Sequence, residues 1–190
     1  MRVEGETGVF DLELIRSAQA GDRDAMIRLL REIETPLYRT AYYLINHEQD
    51  ALDVTQEALI RIYTNISSYR EQAQFLTWAQ RIVTNLCIDR FRKQRESVHI
   101  DDMERVLPSP GSVEEEVMKK NTAKDIEEAI SQLPQNFRTV VVLRYIQDFS
   151  YGEIAEILNL PLNTVKSHLF RARKLLQNLL RDYEKGGVRG

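Results

Sequence analysis

FSYGEIAEILNLPLNTVKSHLFRARKLL, residues Phe149–Leu176, falls into two short helical patterns around Asn159-Leu160-Pro161. Ser150 and Glu153 have the S-x-x-E spacing of a capping box, and Phe149 and Ile154 are placed for the hydrophobic staple beside it. Ile154, Ala155, Leu158 and Leu160 make the inward side of the first helix. Pro161 suits the first turn of the second, where a missing N–H costs nothing. Val165, Leu169, Ala172 and Leu176 then recur at i, i+4, i+7 and i+11 as one apolar stripe. Opposite it stand Asn163, Ser167, Phe170, Arg171 and Lys174, flanked by Lys166, His168 and Arg173. Two helices, a tight turn and a basic outer face make a helix-turn-helix shaped for a DNA groove. Phe170 has no core to enter on that face, whereas a thymine methyl gives it a contact; Arg171 can donate two hydrogen bonds to guanine, and Ser167 can pair with base or phosphate. The plainer alternative is a solvated helix in a bundle, with Phe170 at a domain interface. Turn, cap, basic face and exposed aromatic agree on DNA.

Charge divides the rest of the chain. The 190 residues carry a net charge of −3, but residues 1–95 are close to neutral, 96–118 are strongly acidic and 119–190 are basic. No carboxylate falls between Glu156 and Asp182, where Lys166, Arg171, Arg173, Lys174 and Arg181 do. Such a face attracts phosphates even on an acidic protein. Pro108, Pro110, Gly111 and Glu114–Glu116 give 96–118 the composition of a flexible acidic linker, with Glu114 a candidate start for the next helix. The expected fold is therefore all-α: two small helical domains, 10–95 and 119–183, on either side of that linker. Pro36 and Gly21 are expected at helix starts or breaks. Val140–Ile146, VVVLRYI, is β-branched but lies between helix breakers, and is read as a buried helix.

Several classes are excluded or disfavoured by composition. No apolar run approaches the length of a membrane span, so no membrane insertion is expected. The opening MRVEGETGVFDLELI lacks the apolar core of a secretory signal. A single cysteine, Cys87, and three scattered histidines leave no disulfide and no metal site, and a reducing cytoplasm fits. No nucleophile–base pair or glycine-rich phosphate loop is present, so neither catalysis nor a cofactor is expected.

The first domain carries two further signals. In Asp50–Tyr63, DALDVTQEALIRIY, Ala51, Leu52, Ala58, Leu59 and Ile62 make an apolar face, and Asp50, Asp53, Glu57 and Arg61 make a polar stripe edged by Gln56 and Ile60. That stripe is either an ordinary solvated face with a Glu57–Arg61 pair or an acidic docking face. In Phe75–Arg95, FLTWAQRIVTNLCIDRFRKQR, Arg81, Asn85, Ile88 and Arg92 share one face, with Trp78 at its edge and Lys93 and Arg95 beyond. Next to the polar loop Asn65–Tyr69, which includes Ser67 and Ser68, these groups suit unstacked or single-stranded bases. Trp78 itself reads better as packing, and Asp89 as the partner of Arg92 or Lys93.

DALDVTQEALIRIY, FLTWAQRIVTNLCIDRFRK and FSYGEIAEILNLPLNTVKSHLFRARKLL, in this order and spacing, resemble an extracytoplasmic-function (ECF) sigma factor of bacterial RNA polymerase, of the sigma-70 family, over roughly residues 10–182. The resemblance implies that the first domain docks Asp53, Gln56 and Glu57, with Asp50 and Ile60 beside them, on the clamp helices of the polymerase β′ subunit. It implies that Arg81 and Asn85, with Arg92, Lys93 and the loop from Ser67, Ser68 and Tyr69 to Gln74, recognise and open the −10 element. It implies that Asn163, Lys166, Ser167, His168, Phe170, Arg171 and Lys174 read the −35 element, that the second domain meets the β flap, and that the linker runs near the RNA exit path. Implied partners are core polymerase, promoter DNA and an anti-sigma factor. Two positions depart from the family pattern: Asn163, able to cap a helix start, replaces a glycine, and His168 replaces an arginine. The rival readings are a stand-alone helix-turn-helix regulator and a decoy that binds polymerase without starting transcription.

Overall fold

The computed structural model describes residues 10–98 and 122–186, and every regular element among them is helical, as expected. The first half holds α1 (Leu12–Gln19), α2 (Arg23–Ile45), α3 (Glu48–Asn65), a 3-10 turn (Ile66–Ser68) and α4 (Phe75–Val98). The second holds α5 (Thr122–Ser131), α6 (Gln135–Val141), a π turn (Val142–Ile146), α7 (Tyr151–Leu158) and α8 (Leu162–Gly186). α4 continues past 95, because Arg95-Glu96-Ser97-Val98 contains no helix breaker. The linker prolines and the proposed helix start at Glu114 lie outside the described residues.

Local chemistry sets most helix ends. Asp11 and Asp22 cap α1 and α2 by accepting from backbone N–H groups two or three residues on. Gly21, with φ +96°, makes the turn between them. α7 carries the complete capping box: Glu153 N–H donates to Ser150 Oγ at 3.3 Å, and Ser150 N–H donates to Glu153 Oε2 at 2.8 Å. Ser150→Ala is expected to cost about 1 kcal/mol of stability in urea unfolding; a loss under a few tenths would mean that Phe149 and Ile154 hold the turn alone.

Two expectations change on folding. Pro36 neither starts nor ends a helix; it lies inside α2. Packing on both sides outweighs its missing N–H, and its carbonyl oxygen accepts from Thr40 Oγ1, Gln80 Nε2 and Gln147 Nε2. Val140–Ile146 is helical as read, but from Val142 it widens into a π turn. Val140, Val141, Val142 and Leu143 are all fully buried, and their burial overrides the β-branched preference.

One apolar cluster runs through both halves. Leu37, Ala41 and Leu44 of α2, Ala58 and Ile62 of α3 and Val83 of α4 share it with Ile130, Leu133, Val141, Val142 and Ala172. A smaller cluster inside the second half joins Val140, Leu143, Phe149, Ile154, Ile157, Val165 and Leu169. Leu76 of α4 packs against both. Polar bonds cross the joint as well. Arg138 Nη1 donates to the Leu44 carbonyl at the end of α2 (2.8 Å), Gln147 Nε2 donates to the Pro36 carbonyl (2.9 Å), and Tyr43 Oη donates to Glu127 Oε1 (3.2 Å).

Cys87 is fully buried and free, in keeping with a small core hydrophobe. Burial pushes its thiol up from 9.0 to about 12. The thiol in the unfolded chain ionises first. Cys87 therefore supports the fold fully below pH 9, and that contribution is lost as pH rises toward 12. Cys87→Ala is expected to flatten this alkaline loss in a pH series of thermal melts, and the native thiol should resist alkylation at pH 8.

Candidate nucleic-acid interface

α8 presents the face that its sequence pattern calls for. Val165, Leu169 and Ala172 are fully buried, while Asn163, Lys166, Ser167, Phe170, Arg171 and Lys174 are exposed. Lys174 Nζ lies 4.6 Å from the centre of the Phe170 ring, a cation–π contact that gives the exposed aromatic a charged neighbour. Arg171 makes no ion pair among the described residues, so its guanidinium is free for an external acceptor.

Two residues of this helix differ from expectation. Asn163 does not cap it. The helix begins at Leu162, and the Pro161 carbonyl takes the first turn's N–H groups from Thr164 and Val165. His168 is turned inward: its ring packs edge-on against Phe137 (5.6 Å between centres), and its Nδ1 is buried without a protein partner. It lines a cavity of about 210 Å³ with Ile88, Asn136, Thr139, Leu158 and Leu160. The apolar stripe sets the rotation of α8, and position 168 falls at its edge rather than on the exposed basic face. The turn before α8 rests on Asn159 in the left-handed region (φ 50°, ψ 47°), which asparagine tolerates better than most residues.

On α4, Arg81, Asn85, Arg92 and Lys93 are exposed and Ile88 is half-buried. Arg81 and Asn85 have no protein partner among the described residues, whereas Arg92 pairs with Asp89 at 3.3 Å, as the plain reading had it. Ser67 and Ser68 are exposed on the 3-10 turn. Tyr69 corrects the expectation. It is 6% exposed, donates its hydroxyl to the Ala73 carbonyl (2.8 Å), and packs against Phe75 and Trp78. Its ring is part of the floor and cannot stack on a base. Burial also pushes its phenol above the ordinary value.

The exposed side of α3 is mixed. Asp53, Gln56, Glu57 and Arg61 face solvent, with Arg61 Nη2 2.6 Å from Glu57 Oε1. Asp50 is half-buried; its carboxylate is bound inside the molecule by Arg90 of α4, and its backbone N–H donates to His47 Nδ1 at 3.3 Å. Ile60 is 63% exposed, and it is joined by Tyr63 (59%) and Leu52 (39%). The buried face is Ala51, Val54, Thr55, Ala58 and Ile62, so Leu52, read as core, faces out. Leu52, Gln56, Ile60 and Tyr63 recur at i, i+4, i+8 and i+11. That spacing was the available signal for an exposed apolar stripe here.

The halves meet over the Arg81 face of α4. Arg81, Trp78 and Thr77 line a cleft of about 390 Å³ with loop residues Ser68, Arg70 and Gln72, and its far wall is Glu156 of α7 and Asn159 just after it. Thr77 Oγ1 is buried there with no protein partner. No helix among the described residues is long and apolar enough to cross a membrane, and no group of histidine, cysteine and carboxylate side chains among them is placed to hold a metal.

The family model for sigma-70 region 2 matches residues 29–97, and that for sigma-70 region 4 matches 123–176. The chain is 36% identical over 178 residues to the ECF RNA polymerase sigma factor SigW of Bacillus subtilis, covering 88% of this chain and 95% of that one. The chain belongs to the ECF family of RNA polymerase sigma factors. It is 33% identical over 180 residues to the ECF sigma factor SigM of Mycobacterium tuberculosis, covering 94% and 88% of the two chains. Among solved structures, RpoE of Bartonella quintana, in complex with the anti-sigma factor NepR, superposes with a TM-score of 0.69 over 81% of this chain and 95% of that one. CnrH, in complex with the cytosolic domain of CnrY, gives 0.66 over 90% and 96%. At 24% and 22% identity these two are likenesses of fold. As an ECF sigma factor the protein acts in transcription initiation through promoter recognition, and it is not a stand-alone helix-turn-helix regulator.

Proposed function

We propose that this sigma factor joins core polymerase through the exposed side of α3, where Asp53, Gln56 and Glu57 border Leu52, Ile60 and Tyr63. Region 2 then reads and opens the −10 element with the loop after α3 and with Arg81, Asn85 and Lys93. Region 4 reads the −35 element in the major groove with Asn163, Lys166, Ser167, Phe170, Arg171 and Lys174, and meets the β flap. The chain contributes binding and strand separation in the cytoplasm, while the polymerase performs the chemistry. An anti-sigma factor is the expected antagonist, since the two solved relatives above are in such complexes or bound to a cytosolic partner domain.

The observation that carries this reading is the pair of DNA-directed faces, one in each matched region, whose arginines Arg81 and Arg171 are exposed without internal partners. The closed packing adds a requirement. Elements named for positions −10 and −35 lie about 85 Å apart at about 3.4 Å per base pair. In the structure Arg81 of region 2 and Asn159, which opens the helix-turn-helix bend, border the same cleft. One closed molecule cannot grip both elements, so promoter binding separates the halves.

Core-dependent transcription tests the reading. The protein is mixed with sigma-free bacterial core polymerase and fragmented genomic DNA, and RNA 5′ ends are sequenced. The expected result is a set of discrete starts sharing a two-part upstream motif. Polymerase binding without new starts would support a decoy and defeat the proposal.

A further inference from the structure

The loop that the proposed function assigns to the −10 element is held in shape by a helix that lies before the matched region 2 segment. That segment starts at residue 29; α1 occupies Leu12–Gln19. Two α1 side chains reach across. Gln19 Nε2 donates to two carbonyls of the loop, Ile66 and Tyr69, each at 2.9 Å. One amide thus spans the 3-10 turn and binds the backbone of both residues that anchor it, since Ile66 and Tyr69 are the buried ones (7% and 6% exposed). Arg16 makes a two-point contact with Glu71, Nε to Oε1 at 2.9 Å and Nη2 to Oε2 at 3.0 Å. This paired geometry fixes direction as well as distance.

Glu71 is held in an unusual state. Its φ is +55°, in the left-handed region, although it is not glycine. L side chains rarely adopt that conformation, and it persists where surrounding contacts enforce it. The Arg16 fork is the specific contact present, and it also draws the Glu71 carboxyl below its ordinary range. With Ile66 and Tyr69 pinned inward by Gln19 and Glu71 turned by Arg16, the intervening Ser67, Ser68 and Arg70 all point to solvent. The reach and direction of these exposed groups are therefore set from α1.

We propose that Arg16 and Gln19 are positioning residues for −10 recognition: they touch no DNA, and they set promoter preference by fixing the shape of loop 66–71. This rests on the −10 role proposed above.

The test uses the full chain with sigma-free core polymerase and a promoter library randomised separately at the −10 and −35 elements found by start-site sequencing. Arg16→Ala and Gln19→Ala are expected to lower discrimination among −10 variants by at least fivefold. Discrimination at −35 and affinity for core should stay within twofold of wild type. The charge-swapped pair R16E/E71R should regain most of the loss, and Glu71→Gly, which accepts the positive φ freely, should lose less than Glu71→Ala. Unchanged −10 discrimination in both single variants would overturn the proposal. So would an equal loss at −10, −35 and core binding, which marks general destabilisation. Hydrogen exchange on the free proteins separates this proposal from the sigma reading. If wild type starts no transcription, the −10 assignment fails; faster exchange confined to loop amides in R16A and Q19A would still support the clamp, and unchanged exchange would overturn it.

Discussion

Arg138→Ala is expected to lower stability by about 2–4 kcal/mol and to release the second half of the molecule from the first. The guanidinium donates to three carbonyls: Leu44 at the end of α2, and Ser131 and Leu133 at the end of α5. These carbonyls lie at helix ends, where intrahelical donors run out, so Arg138 caps one helix from each half at once. Burial pushes its pKa below the ordinary arginine value without discharging it, and its Nε is buried without a partner. Hydrogen bonds from a charged donor are worth about 1.5–3 kcal/mol each, and alanine would leave the carbonyls to whatever water can enter. Urea unfolding gives the stability. Trp78, the chain's single tryptophan, lines the cleft between the halves and reports opening through its emission. Red-shifted, more quenchable Trp78 before global unfolding is the expected signature. Arg138→Lys should recover part of the loss through one retained donor. A drop below about 1 kcal/mol, with Trp78 unchanged, would show that the shared apolar cluster closes the molecule without this pin.

Arg171→Ala is expected to weaken binding to the preferred −35 element by about 5- to 150-fold, the equivalent of one lost bidentate guanine contact of about 1–3 kcal/mol. The loss should be selective. Variants lacking the guanine should bind mutant and wild type alike, so preference at that position collapses. The side chain is exposed, on the same face as Phe170 and Lys174, and has no ion pair to break, so folding should be untouched. Competition binding by the assembled holoenzyme across a set of −35 variants measures this. A uniform loss across all of them would reassign Arg171 to a phosphate.

Much of this was legible in the chain because the deciding physics is local. The capping box at Ser150 and Glu153 needs only a spacing of three, and it is fully formed. The breaks at Pro134, at Asp148–Ser150 and at Asn159–Pro161 follow from backbone preferences of single residues, and each falls between helices. The apolar stripe of α8 follows from helical periodicity alone, and it is buried at Val165, Leu169 and Ala172. The order and spacing of three motifs mark the sigma family in the sequence itself.

Where the reading failed, the missing information was a neighbour distant in sequence. Tyr69 falls with the loop residues implied to meet the −10 element; Phe75, Trp78 and the Ala73 carbonyl make it core. His168 sits among DNA-reading positions in the sequence, and Phe137 of another helix draws its ring inward. Pro36 reads as a helix breaker, yet α2 runs through it, with its carbonyl serving donors 44 and 111 residues away. The sequence alone determined the helices, their caps, the helix-turn-helix and the charge division, because each depends on residues within a few turns of one another. Only the tertiary structure decided which polar groups are bound inside the molecule, that α1 grips the loop 66–71, and that α7 lies over the face of α4. Those outcomes depend on how apolar surfaces far apart in the chain are buried together, and no local spacing records that.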